Sequence, residues 1–343
     1  MDFTLAPGIA AASRASASGH VCVHAPARLH LGFLDPAGTL GRPFGSVGVA
    51  ITGLETVVEL GKHPVDAFEA SCGDVSALER ARAHLEVLRR ATGRREPVAL
   101  RLRSALPAHA GLGSGTQLAL AVGRAFCATH DLSLDTLELA ALLGRGKRSG
   151  VGVAAFERGG LLLDGGPRAD GSPAPVLAHL CLPAAWRVLL VIDPRVQGLS
   201  GAAEKAALAQ LPPLSRAAAA EICHQVLMRV LPGAAGAEFT PFAAGVSRMQ
   251  EVLGEHFAPA QGGHAFASEA VGRLLRWIAR RGVAGIGQSS WGSAGFAFLP
   301  SEAQARALLA EAGVAGILDP ALAVQVVRPR NHGALVSGTR AQE

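Results

Sequence analysis

Val98-Ala-Leu-Arg-Leu-Arg103 alternates apolar and charged positions, the period-two pattern of a strand with one buried face. A little further on, Leu118, Val122, Ala125, Phe126 and Thr129 recur at helical spacing. Between the two lies Pro107-Ala-His-Ala-Gly-Leu-Gly-Ser-Gly-Thr-Gln117, so the order is strand, glycine-rich loop, helix. Val21 to Ala25 predicts a first strand that runs into Pro26-Ala-Arg-Leu-His-Leu-Gly-Phe33. There Arg28 and His30 alternate with Leu29 and Leu31 and therefore share one face. A further strand is predicted over Val49 to Leu60, and helices over Ser76 to Ala91 and Asp135 to Leu143, the latter stopped by Gly144. Pro167 to Pro183, punctuated by proline and glycine, reads as a crossover between two lobes. Trp186 to Ile192 predicts a buried strand. Helical sequence follows to about Arg281, broken by a loop from Phe257 to His264. A second glycine-rich loop, Gly285 to Gly295, leads into a strand over Phe296 to Leu299, a helix over Ser301 to Ala312 and a strand over Ala323 to Arg328.

The 343 residues suffice for two lobes with ample core, and 49% hydrophobic against 17% charged residues is a globular balance. No apolar run is long enough to span a membrane. Residues 1–19 are rich in Ala, Ser and Gly, and Asp2 and Arg14 are wrong for a signal peptide, so a flexible extension is expected there. The five cysteines are scattered, odd in number and without a C-x-x-C pair, which points to reduced, buried thiols in a cytoplasm. The net charge of +5 rests on arginines spread along the chain. Arg80, Arg82, Arg89, Arg90, Arg94 and Arg95 read as a solvated helix face, and no aromatic residues interleave with them as nucleic-acid binding by stacking requires. Small anionic substrates suit this balance better. The twelve histidines show no metal-ligand spacing.

The chemistry gathers in the glycine loops. Backbone N–H groups at a helix N-terminus attract anionic oxygens, and glycines let a phosphate approach the main chain closely. Gly111, Leu112, Gly113, Ser114, Gly115 and Thr116 are therefore candidate phosphate contacts, with a ligand-free connection as the competing reading. No Lys-Ser/Thr follows the glycines, and the spacing is not G-x-G-x-x-G, which excludes two other phosphate loops. Arg145, Lys147 and Arg148 stand in a third glycine-rich stretch, Gly144 to Gly166. They suit phosphate or carboxylate, or simply a surface loop.

Three such elements in this order resemble the GHMP kinase superfamily: Pro26-Ala-Arg-Leu-His-Leu-Gly32, Pro107 to Thr116 and Gly287 to Gly295. The resemblance implies an α+β fold of two lobes, an N-terminal α+β lobe (20–180) and a C-terminal ferredoxin-like α/β sandwich (181–343), with the active site between them. Two departures stand out. Where the mevalonate-kinase branch reads Ser-Gly-Val-Asp, this chain reads Ser149-Gly-Val-Gly152; where the kinase loop has a second serine, it has Gly115. Both groups serve phosphoryl transfer. A kinase with a replacement carboxylate and a non-catalytic phosphate-ligand sensor therefore become the rival readings.

Within the superfamily, Pro26 to Phe33, Phe44 to Ile51, Gly144 to Gly152 and Gly159 to Gly166 resemble the β-ribofuranosylaminobenzene 5′-phosphate synthase family. The resemblance implies a decarboxylating pentosyltransferase of methanopterin biosynthesis. It condenses phosphoribosyl pyrophosphate with 4-aminobenzoate, or 4-hydroxybenzoate in some members, and releases pyrophosphate and CO2. On this reading the Gly111–Thr116 loop holds pyrophosphate, and Arg145, Lys147 and Arg148 hold the 5′-phosphate or the benzoate carboxylate. Arg28 and His30 orient the aromatic acid or act as an acid. Asp164 binds metal or stabilises the cationic ribose carbon, and Trp291 walls the ring beside Gln288, Ser289 and Ser290. Magnesium is the expected cofactor, with Ser114, Thr116 and Asp164 as candidate ligands. The family reading leaves room for a homodimer, and calls for neither nucleic acid nor membrane as partner.

Overall fold

The computed structural model describes residues 19–170, 172–199 and 201–339, with the side chains of 201–205 and 339 left out. Of the expected extension, residues 1–18 lie outside the described residues. In chain order come β1 (His20–Asp35), β2 (Phe44–Lys62), β3 (Ala67–Ala70), α1 (Val75–Thr92), β4 (Val98–Ser104), α2 (Ser114–Thr129), α3 (Thr136–Leu142), α4 (Val151–Glu157), β5 (Leu161–Asp164) and β6 (Val176–Leu180). They are followed by β7 (Arg187–Ile192), α5 (Gly201–Gln210), α6 (Arg216–Gln225), a π-helical turn (Val226–Val230), α7 (Leu231–Ala235), α8 (Phe239–Phe257) and a 3₁₀ turn (Ala258–Gln261). The chain then forms α9 (Glu269–Ala279), β8 (Gly285–Gln288), β9 (Ala294–Leu299), α10 (Glu302–Val314), β10 (Ala323–Val327) and β11 (Leu335–Thr339).

The strands make two sheets, an α+β arrangement. The first has the order β11-β1-β2-β4-β3, with β5 paired to β2 and β6 to β5; the second has the order β10-β7-β9-β8. All pairs are antiparallel except β3 with β4. A register shift between Pro26 and Ala27 divides β1. Val21, Val23 and Ala25 before it pack with α1, α2 and α3; Ala27, Leu29 and Leu31 beyond it join a central core shared with β7, β9, α6 and α8. The bulge thus carries one strand from the outer core into the space between the sheets. On its other side the second sheet packs on α9 and α10. Among the described residues no helix is long and apolar enough to cross a membrane.

Local chemistry accounts for most element ends. Asp74 caps α1 through Ala77 N (2.8 Å), and Gly93 ends it in the left-handed region. Asp135 and Glu138 form a reciprocal capping box on α3.

Four features depart from the sequence reading. Arg89 is not on a solvated face: it is buried and makes two bonds to Asp66 (2.7 and 2.8 Å) and one to Glu86. Cys72 and Cys181 are exposed rather than buried. The glycine-rich stretch after Gly144 contains α4 and β5, and the crossover contains β6. Six of the seven α4 residues, Val151 to Phe156, are buried and all of β5 is, so neither shows the one-sided periodicity by which an element is recognised. Lastly, β11 returns to the outer edge of β1, pairing His20 to His24 with Leu335 to Thr339.

Candidate active site

Gly113, with φ of 81°, precedes α2, and no side chain caps that helix. Its first N–H groups therefore remain available to an anion. Two guanidinium groups flank them. A Cβ on Gly113 would lie 3.1 Å from Arg28 Cγ and 3.3 Å from its Nε, and one on Gly115 would lie 3.3 Å from Arg145 Nη1. The loop glycines thus make room for arginines as well as for backbone. Arg28 reaches across from β1, donating its backbone N–H to Leu112 O (3.1 Å) and its Nη1 to Gly111 O (2.6 Å). Arg145 Nη2 lies 3.4 Å from His84 Nε2 on α1. Burial, then Arg145 and Arg80, lowers the His84 pKa to about 4, so His84 is a neutral acceptor for this arginine at neutral pH.

The β8–β9 connection closes over the same loop. Ser289 is fully buried; its Oγ donates to Gly111 O (2.6 Å) and accepts from His30 N (2.9 Å). Ser290 N donates to His30 O (3.1 Å), and Ala294 N to Ala110 O (3.2 Å). Beside this junction lies a small, partly open pocket lined in part by His30, Phe33, Leu253, Phe257, Gln288 and Trp291. His30 meets Phe33 edge-on (4.8 Å between ring centres), and Phe257 meets Trp291 at 4.5 Å. Gln250 and Gln261 complete the wall, and their amides are engaged. Gln250 bonds to Leu31 O and Gln288 N; Gln288 bonds to Ala267 N (2.6 Å), Gln261 Oε1 (2.8 Å) and Ser290 O (2.9 Å). His30 is 3% exposed, and its Nδ1 has no hydrogen-bond partner among the described residues. Burial, then the nearby Arg28 and Arg148, hold its pKa well below the ordinary histidine value, so the ring is neutral.

The sequence candidates divide accordingly. Gly111 to Thr116, Arg28, His30, Arg145, Arg148, Ser290 and Trp291 come together around the loop and pocket. Lys147 is exposed and makes no hydrogen bond or ion pair among the described residues. Ser289 and Gln288 hold the walls in place rather than offering groups to a ligand. His30 is held neutral by its burial and by the nearby Arg28 and Arg148. Asp164 lies beside the start of α4. It is 1% exposed, and its Oδ2 accepts from Ser46 Oγ (2.5 Å) and Gly150 N (2.7 Å) while its Oδ1 accepts from Gly166 N (2.9 Å). It fixes the N-terminus of α4. Among the described residues no group of three or more His, Cys, Asp or Glu side chains is placed to hold a metal. Sequence reasoning missed Phe33, Phe257, Gln250, Gln261 and His84; only Phe33, at the end of the first glycine motif, carried any signal.

Comparison with known proteins decides the family. The GHMP kinases N terminal domain matches residues 79–160. The β-ribofuranosylphenol 5′-phosphate synthase of Archaeoglobus fulgidus is 34% identical over 239 residues, covering 66% of this chain and 74% of that protein. The enzyme of the same name from Methanothermobacter thermautotrophicus is 30% identical over 293 residues, covering 79% and 86%. The chain belongs to the β-ribofuranosylphenol 5′-phosphate synthase family. Its fold is that of the GHMP kinases: phosphomevalonate kinase of Streptococcus pneumoniae superposes with a TM-score of 0.66 at 14% identity, over 91% of this chain and all of that one. Gly152, which the sequence reading set against the kinase aspartate, lies on α4, where an added Cβ would lie 3.4 Å from Thr116 Cγ2. The relatives' name carries a phenol where the sequence reading put an aminobenzene first.

Proposed function

We propose that the protein transfers the phosphoribosyl group of phosphoribosyl pyrophosphate to the ring of a 4-substituted benzoate, 4-hydroxy- or 4-aminobenzoate, with release of pyrophosphate and CO2. The observation that carries this reading is the pair of arginines, Arg28 and Arg145, set over Gly113 and Gly115 at the uncapped start of α2. A departing pyrophosphate needs fixed donors and cations where its charge develops, and one such donor is worth about 2.7–4 kcal/mol of barrier. The relatives' name supports the product class.

In the reaction the ribose C1–oxygen bond breaks and its electron pair leaves with pyrophosphate. The ring carbon bearing the carboxylate bonds to C1, and loss of CO2 then returns the electron pair to the ring. No alcohol has to be activated as a nucleophile, so glycine at position 152 removes nothing the reaction needs. Magnesium enters this scheme as part of the magnesium–pyrophosphate substrate. Arg148 and Lys147 are left for the 5′-phosphate or the carboxylate, and the product class belongs to methanopterin biosynthesis. The test is product formation: magnesium phosphoribosyl pyrophosphate with either benzoate is expected to give pyrophosphate and a ribosylated arene by mass spectrometry. Turnover of ATP with a small alcohol, and none with these substrates, would overturn the reading.

A further inference from the structure

Two supports hold Arg145 beside the start of α2. The first is in its backbone. Gly144, with φ of 67°, follows the last turn of α3; Arg145 N donates to Ala140 O (2.7 Å) and Gly144 N to Ala141 O (3.1 Å). These are the closing bonds of a helix ended by a left-handed glycine. The second is the side-chain bond from Arg145 Nη2 to His84 Nε2 on α1 (3.4 Å), which leaves Nη1 as the atom that a Cβ on Gly115 would meet at 3.3 Å. Arginine only donates, so the His84 nitrogen facing it carries the lone pair and the ring proton sits on Nδ1. No carboxylate takes part. Among the described residues Arg145 makes no ion pair, and its Nε is buried without a hydrogen-bond partner. Arg80, one turn before His84 on α1, adds charge of the same sign: burial, then Arg80, lowers the Arg145 pKa. The buried arginines that brace this fold have carboxylate partners, Arg89 in Asp66 and Arg330 in Glu55. Arg145 is anchored without being neutralised.

We infer that His84 is a positioning residue for the leaving group: it holds the Arg145 guanidinium over Gly115 through an uncharged acceptor, so that the arginine's charge is kept for the anion at the start of α2. The inference rests on the function proposed above, since the anion meant is pyrophosphate, and it gives a part to a residue of α1 that acts through Arg145. A carboxylate at position 84 would anchor the arginine equally well but would cancel much of its field at the loop. The imidazole anchors without cancelling. Burial, Arg145 and Arg80 together keep it uncharged at neutral pH. A glutamine would preserve the arrangement, because its side-chain oxygen is a neutral acceptor that reaches about as far as Nε2.

The test uses the full-length protein and magnesium pyrophosphate, titrated in a calorimeter so that no turnover is needed. His84→Leu is expected to weaken binding about tenfold, the value of one hydrogen bond to a charged group. His84→Gln is expected to recover most of that loss. His84→Glu is expected to weaken binding about tenfold or more, with a melting temperature no lower than that of His84→Gln. A role in packing alone would not separate affinity from stability in this way. In an Arg145→Ala background the same three substitutions are expected to change binding by no more than about twofold, because coupled residues lose their effect when the partner is gone. Equal affinities of His84→Gln and His84→Glu overturn the inference. So does a His84→Glu loss that persists undiminished without Arg145, which would be direct repulsion of the anion. The contrast between Gln and Glu decides the matter even where His84→Leu does not fold. Equal affinities together with product from phosphoribosyl pyrophosphate would remove His84 and leave the proposed function standing. The expected binding pattern without product supports the part given to His84 and removes the reaction.

Discussion

Gly115 shows how much one missing side chain can set. A serine there would place its Cβ 3.3 Å from Arg145 Nη1, so the arginine and a loop side chain compete for one place. Because the competing atom is the end of a flexible side chain, Gly115→Ser is expected to change stability by no more than about 0.5 kcal/mol. It is expected to raise the KM for phosphoribosyl pyrophosphate several-fold, which steady-state kinetics beside a thermal melt will show. His84 gives a pH signature. Its pKa is about 4 in the folded protein and about 6.5 in the unfolded chain, so between these values the unfolded state binds more protons. Its contribution is complete above about pH 6.5 and is lost as the pH falls toward 4. Urea unfolding at pH 7.5, 6 and 5 is expected to show falling stability, and His84→Gln is expected to flatten that fall; an unchanged slope would contradict the assignment.

At the scale of elements, the Asp164 carboxylate joins β5 to the start of α4. Ser46 from β2 and the Gly150 and Gly166 N–H groups all donate to it. Asp164→Ala strips three buried donors of their acceptor and is expected to cost about 3 kcal/mol or more, read as a fall in melting temperature without any dependence on magnesium. A metal ligand would behave otherwise, with activity lost, stability kept and excess magnesium restoring turnover. The same clamp explains what was legible beforehand. β4 was readable because exposed Arg101 and Arg103 alternate with buried Leu100 and Leu102, whereas α2, which has no exposed residue, was readable from its length and from the helical spacing of the apolar residues picked out in it. α4 and β5 are buried nearly all round, so composition hid them in a glycine-rich stretch. Asp164 could be picked out as a carboxylate near the site, but its direction depends on β2, more than a hundred residues earlier in the chain. Gln250 and Gln261 had no sequence signal at all, since their function is to bond with one another's neighbours across the fold.

Across the whole molecule, the two sheets share the central core and are joined as well at backbone groups of the glycine loop. Ser289, at the end of β8 in the second sheet, and Arg28 from the first converge on the single carbonyl of Gly111, so the loop proposed to receive the leaving group also registers one lobe on the other. Ser289→Ala is expected to destabilise the fold by about 1–3 kcal/mol and to lower turnover with both substrates together, because it loosens the loop and the His30 strand at once. An effect on one substrate's KM alone would show that loop and pocket act separately. The central claim is that this fold directs a GHMP-type phosphate loop at a pyrophosphate leaving from ribose while the acceptor ring loses its carboxylate. It is tested by incubating the protein with magnesium phosphoribosyl pyrophosphate and carboxyl-labelled 4-hydroxy- or 4-aminobenzoate, and counting labelled CO2 against pyrophosphate. One labelled CO2 for each pyrophosphate is the expected result; pyrophosphate released with the label still on the aromatic product, or no release of either, would contradict it.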